Sequence, residues 1–106
     1  MYEMSVIKLT NENFESEAIH SQKPVLIDFF AMWCGPCKML SPIIEKIAAE
    51  HPEFKVCKID IDEVPSLAER FGIMSIPTLM VMRNGEVVRT SVGLKSEAGI
   101  LMLLDS

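Results

Sequence analysis

At 106 residues, 49% of them apolar, the chain is long enough to bury one hydrophobic core without covalent staples, and a single domain over residues 1–106 is expected. A net charge of −5 with no Lys/Arg cluster argues against nucleic acid or anionic lipid as a partner. Three cysteines, an odd number, do not describe a secreted disulfide scaffold.

The first residues, Met1-Tyr2-Glu3-Met4-Ser5, carry acid where a secretion signal carries base, and no apolar stretch is long enough to span a membrane. A reducing cytoplasm is the expected home. From there the pattern alternates between strand and helix. Ser5 to Leu9 reads as a short strand, and Thr10 or Asn11 caps a helix to about His20. Val25 to Phe30 is a nearly continuous apolar run, the mark of a buried strand. A helix follows to about Glu50, with Pro42 expected to kink it. Lys55 to Ile61 alternates like a strand; Asp62 is placed to cap a short helix through Phe71, which Gly72 stops. Thr78 to Met82 and Glu86 to Val92 flank Arg83-Asn84-Gly85, a strong hairpin signal, so the last two strands are antiparallel. Ser96 caps a final helix to about Leu104. The order predicts an α/β sandwich with a mixed sheet covered on both faces.

Trp33-Cys34-Gly35-Pro36-Cys37 lies where the buried strand feeds the long helix. Two thiols separated by two residues can close a small disulfide ring and open it again. As N-cap, Cys34 would face the unsatisfied N–H groups and positive dipole end of the first turn, both of which favour a thiolate. Pro36 is tolerated in that turn because its missing N–H would have no partner there, which leaves the Cys37 N–H as the donor to the Cys34 sulfur. Cys34 is therefore read as the attacking thiol and the deeper Cys37 as the resolving one. The competing reading is half of a structural zinc site. Zinc wants about four ligands, and Cys57, His20 and His51 form no second close pair, so no metal and no prosthetic group is expected.

Asp28 interrupts the apolar strand. It is either a carboxylate that hydrogen-bonds a nearby loop or a functional acid with a shifted pKa. Lys58, on the face opposite Cys57 by period-two counting, is either near it or simply solvated. Ile76-Pro77 before a strand fits a cis bond, with a trans turn as the alternative. Trp33 is a lid on the site, a packed ring, or both. Cys57 reads as a buried inert thiol, and His20 and His51 as helix-end residues that complement the dipole. Of eight methionines most read as core fillers, while Met32, Met39 and Met74 bracket the motif and would suit a surface that meets many partners.

The segment Asp28-Phe29-Phe30-Ala31-Met32-Trp33-Cys34-Gly35-Pro36-Cys37-Lys38, followed by Ile76-Pro77-Thr78, Asn84-Gly85 and Val92-Gly93, resembles the thioredoxin family in this order and over essentially the whole length. The resemblance implies a thioredoxin fold: a three-layer α/β/α sandwich around a central five-stranded mixed sheet. It implies reduction of disulfides in client proteins and recharging by an NADPH-dependent flavoprotein, thioredoxin reductase, with the chain acting as a monomer in cell redox homeostasis. It puts Asp28 behind Cys37 as proton acceptor or relay, with Lys58 compensating its charge. It also puts Trp33, Gly35, Pro36, Met74, Ser75, Ile76, Pro77 and Gly93 on the substrate face, the Ser75-Ile76 backbone pairing with the bound chain. Phe30, Met32 and Ser75 depart from the common pattern, and Met32 and Ser75, with Met74, bear on partner choice. Oxidase and isomerase relatives of the same fold usually carry histidine between the cysteines; Gly35-Pro36 argues against that role. A docking subunit with incidental redox activity is the rival from another class.

Overall fold

A computed structural model describes residues 6–105; Ser5, the expected start of the first strand, and the acidic N-terminal residues lie outside them. The strands are β1 (Val6–Lys8), β2 (Val25–Phe30), β3 (Lys55–Asp60), β4 (Thr78–Arg83) and β5 (Glu86–Val92); the α-helices are α1 (Gly35–Glu50), α2 (Pro65–Arg70) and α3 (Glu97–Asp105). One five-stranded sheet runs β1-β3-β2-β4-β5. The first three of these are parallel, and β4 is antiparallel to both β2 and β5. The expected mixed sheet forms.

Strand alternation sorts the core into two layers. Val25, Ile27 and Phe29 of β2, Cys57 and Ile59 of β3, and Met80 and Met82 of β4 pack with Phe14, Ala18 and Leu67. Leu26, Val56, Leu79 and Val81, on alternate positions, pack with Leu40, Ile44 and Ile47 of α1 and with Ile100 and Leu104 of α3. The sheet is therefore covered on both faces, and α1 lies on the face to which Asp28 belongs by alternation.

Two expected caps form. Ser96 Oγ accepts the Gly99 N–H at 3.1 Å to start α3, and at the end of α2 Gly72 adopts φ +64° while the Gly72 and Ile73 N–H groups reach the Glu69 and Ala68 carbonyls. The hairpin turn is as read: Asn84 and Gly85 both have positive φ, 53° and 81°, the requirement of a type I′ turn. Pro42 removes one amide donor from α1 without dividing the helix.

Two expectations are corrected. The segment after β1 starts as predicted, with Thr10 N–H on Asn13 Oδ1 at 2.7 Å and Asn13 N–H on Thr10 Oγ1 at 3.2 Å. It then becomes a π-helix over Glu15–Ile19, closed by His20 N–H to Glu15 O at 3.0 Å, instead of an α-helix. Phe14 and Ala18, four apart, are both buried, so the apolar spacing survives the wider winding. Asp62 does not cap α2. That helix opens on Pro65, which has no N–H to satisfy, behind Val64 with no side-chain cap; the Glu63 and Val64 amides go to the Asp60 carbonyl.

Candidate active site

The site is built at the C-terminal end of β2. Cys34 is the N-cap of α1 with φ −90° and ψ 116°, and Pro36 falls in the first turn. The Cys37 N–H donates to Cys34 Sγ at 3.2 Å, the bond expected from position alone. The two cysteines are joined as a disulfide, with Cα atoms 5.2 Å apart. The expected contrast in depth is slight, since Cys34 is 5% and Cys37 3% exposed: the short loop folds both sulfurs against Ala31, with Phe30, Ile61 and Ile76 around them. Gly35 has open space where a Cβ would stand.

Ile76 arrives from the opposite loop. The Ile76–Pro77 peptide bond is cis, and the loop is held from both sides. Thr78 Oγ1 donates to Ser75 O at 2.6 Å, and Gly93 N–H, from a residue at φ +98°, donates to Pro77 O at 2.8 Å. Met74 and Ser75 are exposed beside it. Ile76, in the loop that the resemblance assigns to substrate pairing, therefore packs on the cysteine pair.

A charged rung crosses the sheet, with Lys8, Lys58 and Asp28 as successive register partners across β1, β3 and β2. Asp28 is 4% exposed, and its Oδ1 has no hydrogen-bond partner. Burial raises its pKa from 3.8 to about 7, and the Lys58 charge pulls part of the way back. The loop-bonded alternative for Asp28 is thus not supported for Oδ1. Lys58 is half-buried, its ammonium 5.9 Å from the centre of the Phe30 ring.

Cys37 also lines a cleft of about 430 Å³ whose walls include Phe30, Met32, Lys38, Lys58, Asp60, Lys8 and Glu63. Lys8 Nζ meets Glu63 Oε1 at 2.6 Å, and that partner raises the lysine pKa. Asp60 is buried and accepts the Asp62 N–H at 2.9 Å. Asp62 in turn accepts the Trp33 indole N–H at 2.8 Å. Sequence reasoning missed Lys8, Asp60, Glu63 and the anchoring role of Asp62. Lys8 and Asp60 were reachable by carrying the period-two count onto β1 and along β3; Glu63 and Asp62 depend on how the loop after β3 folds back. The Trp33 ring is anchored but not packed, at 69% exposure.

The remaining candidates stand apart from the pair. Cys57 is fully buried on the other face, and burial pushes its thiol up to about 12. His20 and His51 end the π-helix and α1 and meet Glu15 and Glu53 at 3.2 and 3.0 Å. Among the described residues, the group whose donor atoms lie within metal-binding distance of one another is Glu50, His51 and Glu97; Lys46 sits on Glu97 at 3.1 Å. None of its members reaches the cysteine pair. The methionines depart from the core-filling expectation: of the six described, Met80 and Met82 are buried, whereas Met32, Met39, Met74 and Met102 are exposed, because they fall on loops and outer helix positions where no apolar face covers them.

A closed dithiol ring at a helix N-terminus, packed against a cis-proline loop, defines a dithiol redox protein. Residues 5–106 match the family model Thioredoxin. A thioredoxin of Bacillus subtilis is 45% identical over 103 residues, covering 96% of this chain and 97% of that protein. One of Streptomyces clavuligerus is 45% identical over 93 residues, covering 88% and 87%, and one of Porphyra purpurea 48% over 91 residues, covering 85% of each. The chain belongs to the thioredoxin family. It is a thiol–disulfide oxidoreductase that reduces protein disulfides, with disulfide-bearing clients and a reductase as its general partners. Among the described residues no helix is long and apolar enough to cross a membrane.

Proposed function

We propose that Cys34 is the attacking thiol and Cys37 the resolving one, with Asp28 taking the Cys37 proton. The observation that carries this reading is the 3.2 Å bond from the Cys37 N–H to Cys34 Sγ at the head of α1. An amide donor and a helix N-terminus both favour negative charge on that sulfur in the reduced state. Cys34 thiolate attacks one sulfur of the client disulfide; the other client sulfur leaves as thiolate and a mixed disulfide forms. Cys37, deprotonated by Asp28, then attacks Cys34 Sγ, releasing the second client thiolate and closing the Cys34–Cys37 ring. With a pKa near 7, Asp28 holds or yields a proton at neutral pH. Lys58, on the neighbouring strand, moderates the carboxylate charge.

The client chain lies against Trp33, Gly35, Pro36 and the loop of Met74, Ser75, Ile76 and Pro77, with Gly93 holding that loop from behind. An NADPH-dependent flavoprotein of the thioredoxin reductase class restores the dithiol. The protein works as one domain, as a monomer, in the cytoplasm. The test combines turnover with trapping. Insulin reduction should proceed with NADPH and a thioredoxin reductase. Cys37→Ser should accumulate a mixed disulfide with insulin on non-reducing gels, whereas Cys34→Ser should accumulate none. More trapped partner with the Cys34 variant would reverse the assignment, and absence of turnover would leave a docking subunit.

A further inference from the structure

Met32, Met39 and Met74 lie on three segments that carry or adjoin the disulfide. Met32 precedes the motif and lines the cleft that reaches Cys37; Met39 lies two residues past Cys37 on α1. Met74 adjoins the Ser75–Pro77 loop, whose Ile76 packs on the pair. They are 69%, 63% and 93% exposed, against 2% and 1% for Met80 and Met82 on β4. A flexible thioether suits a surface that must repack against unrelated chains. It is also an apolar group that a hydroperoxide makes polar.

We propose that Met32, Met39 and Met74 form an oxidant-responsive rim, whose conversion to sulfoxide weakens docking of protein clients without altering the chemistry of the cysteine pair. This rests on the reading that clients lie against the Met74–Pro77 loop. The reacting partner is a hydroperoxide. Its O–O bond breaks as the sulfur lone pair takes one oxygen; sulfur is oxidised by two electrons, and the other oxygen leaves as water, or as an alcohol from an alkyl hydroperoxide. Each new S=O group is a strong acceptor that must be stripped of water when a client covers it, and an apolar client surface offers no donor in return. The cysteines, closed as a disulfide, present no thiolate to the same oxidant, so the rim reports oxidant separately from the redox state of the pair.

The experiment treats the disulfide form with hydrogen peroxide, maps sulfoxides by peptide mass spectrometry, then reduces the protein with dithiothreitol and removes the reductant. Single-turnover reduction is measured with insulin and with a small aromatic disulfide too small to span the rim. Sulfoxide is expected at Met32, Met39 and Met74, and at Met102 away from the pair, with Met80 and Met82 spared. The half-saturating insulin concentration should rise about tenfold, the equivalent of one polar group buried without a partner, while the rate with the small disulfide stays unchanged. The variant Met32→Leu/Met39→Leu/Met74→Leu retains Met1, Met4 and Met102, and its own insulin dependence should not change on peroxide treatment. An unchanged insulin dependence in the fully oxidised native protein, an equal rise in the triple variant, or slowing with the small disulfide overturns the inference. No reaction with the small disulfide before peroxide treatment refutes the reading of the cysteine pair instead.

Discussion

Ile27–Cys57 and Asp28–Lys58 are adjacent rungs of the ladder between β2 and β3, and they point to opposite faces of the sheet. Burial acts on both in the same direction. On the first it takes a thiol from 9.0 to about 12, beyond the range in which it ionises at neutral pH, so Cys57 is chemically silent. On the second it takes a carboxyl from 3.8 to about 7, into the range in which it exchanges a proton. Desolvation thus makes one group inert and the other responsive. The difference lies in the starting pKa and in which helix covers the face, since α1, which carries Cys37, packs on the face that Asp28 shares with Leu26.

Asp28→Asn keeps the shape and removes the base, so release of the mixed disulfide at neutral pH should slow about a hundredfold in single-turnover kinetics, while formation of the mixed disulfide by Cys34 is little changed. An unaltered release rate would return Asp28 to a structural role.

The same variant should be more stable at neutral and alkaline pH. Below about 3.8 both folded and unfolded carboxyls hold their proton, and the native protein gives up nothing. Between 3.8 and about 7 the unfolded state ionises first, so folded stability falls as pH rises, and above about 7 the loss is complete. That gap corresponds to roughly 4 kcal/mol. A buried amide without partners returns part of it, leaving Asp28→Asn about 1–3 kcal/mol more stable than the native protein at pH 8. Urea unfolding at pH 3 and pH 8 measures this; equal stability of the two proteins at both values would contradict the shift.

The opposite rung sharpens the contrast. Cys57→Ser puts a hydroxyl among Ile27, Ile59 and their apolar neighbours, and should cost about 1–3 kcal/mol of stability in urea with no change in insulin reduction. Lost reduction in a folded variant would show Cys57 to be part of the redox chemistry. The smallest effect is expected at Asp62→Ala, which frees the Trp33 indole N–H. One exposed hydrogen bond is worth about 1 kcal/mol. The fluorescence anisotropy of the single tryptophan should fall and the KM for insulin should rise, with kcat held; unchanged anisotropy would show the bond to be idle.

Much of this was legible in residue order. The cap at Cys34, the hairpin at Asn84-Gly85, the stop at Gly72 and the buried acid in β2 are local signals, each set by a few neighbouring residues. Period-two counting placed Cys57 and Lys58 on opposite faces because a strand admits no other arrangement. What escaped was long-range or depended on one hydrogen bond winning over another. Asp62 looks like an N-cap until Pro65 removes the need for one and Trp33 claims its carboxylate. The widening of the first helix to π turns leaves no mark on its apolar spacing. Met32, Met39 and Met74 read as surface from their places around the motif, whereas the exposure of Met102 could not be read from residue type, since methionine fills cores as readily as it covers surfaces.

The resolving step turns on the ionisation of Asp28, and the most direct measurement is a pH titration of its side-chain carboxyl by carbon-13 NMR in the disulfide form, where neither Cys34 nor Cys37 titrates. A midpoint near 7 is predicted. A midpoint at the ordinary carboxylate value of about 4 would contradict it, because a group already ionised well below neutral pH has neither the stored instability nor the proton affinity that the mechanism assigns to it.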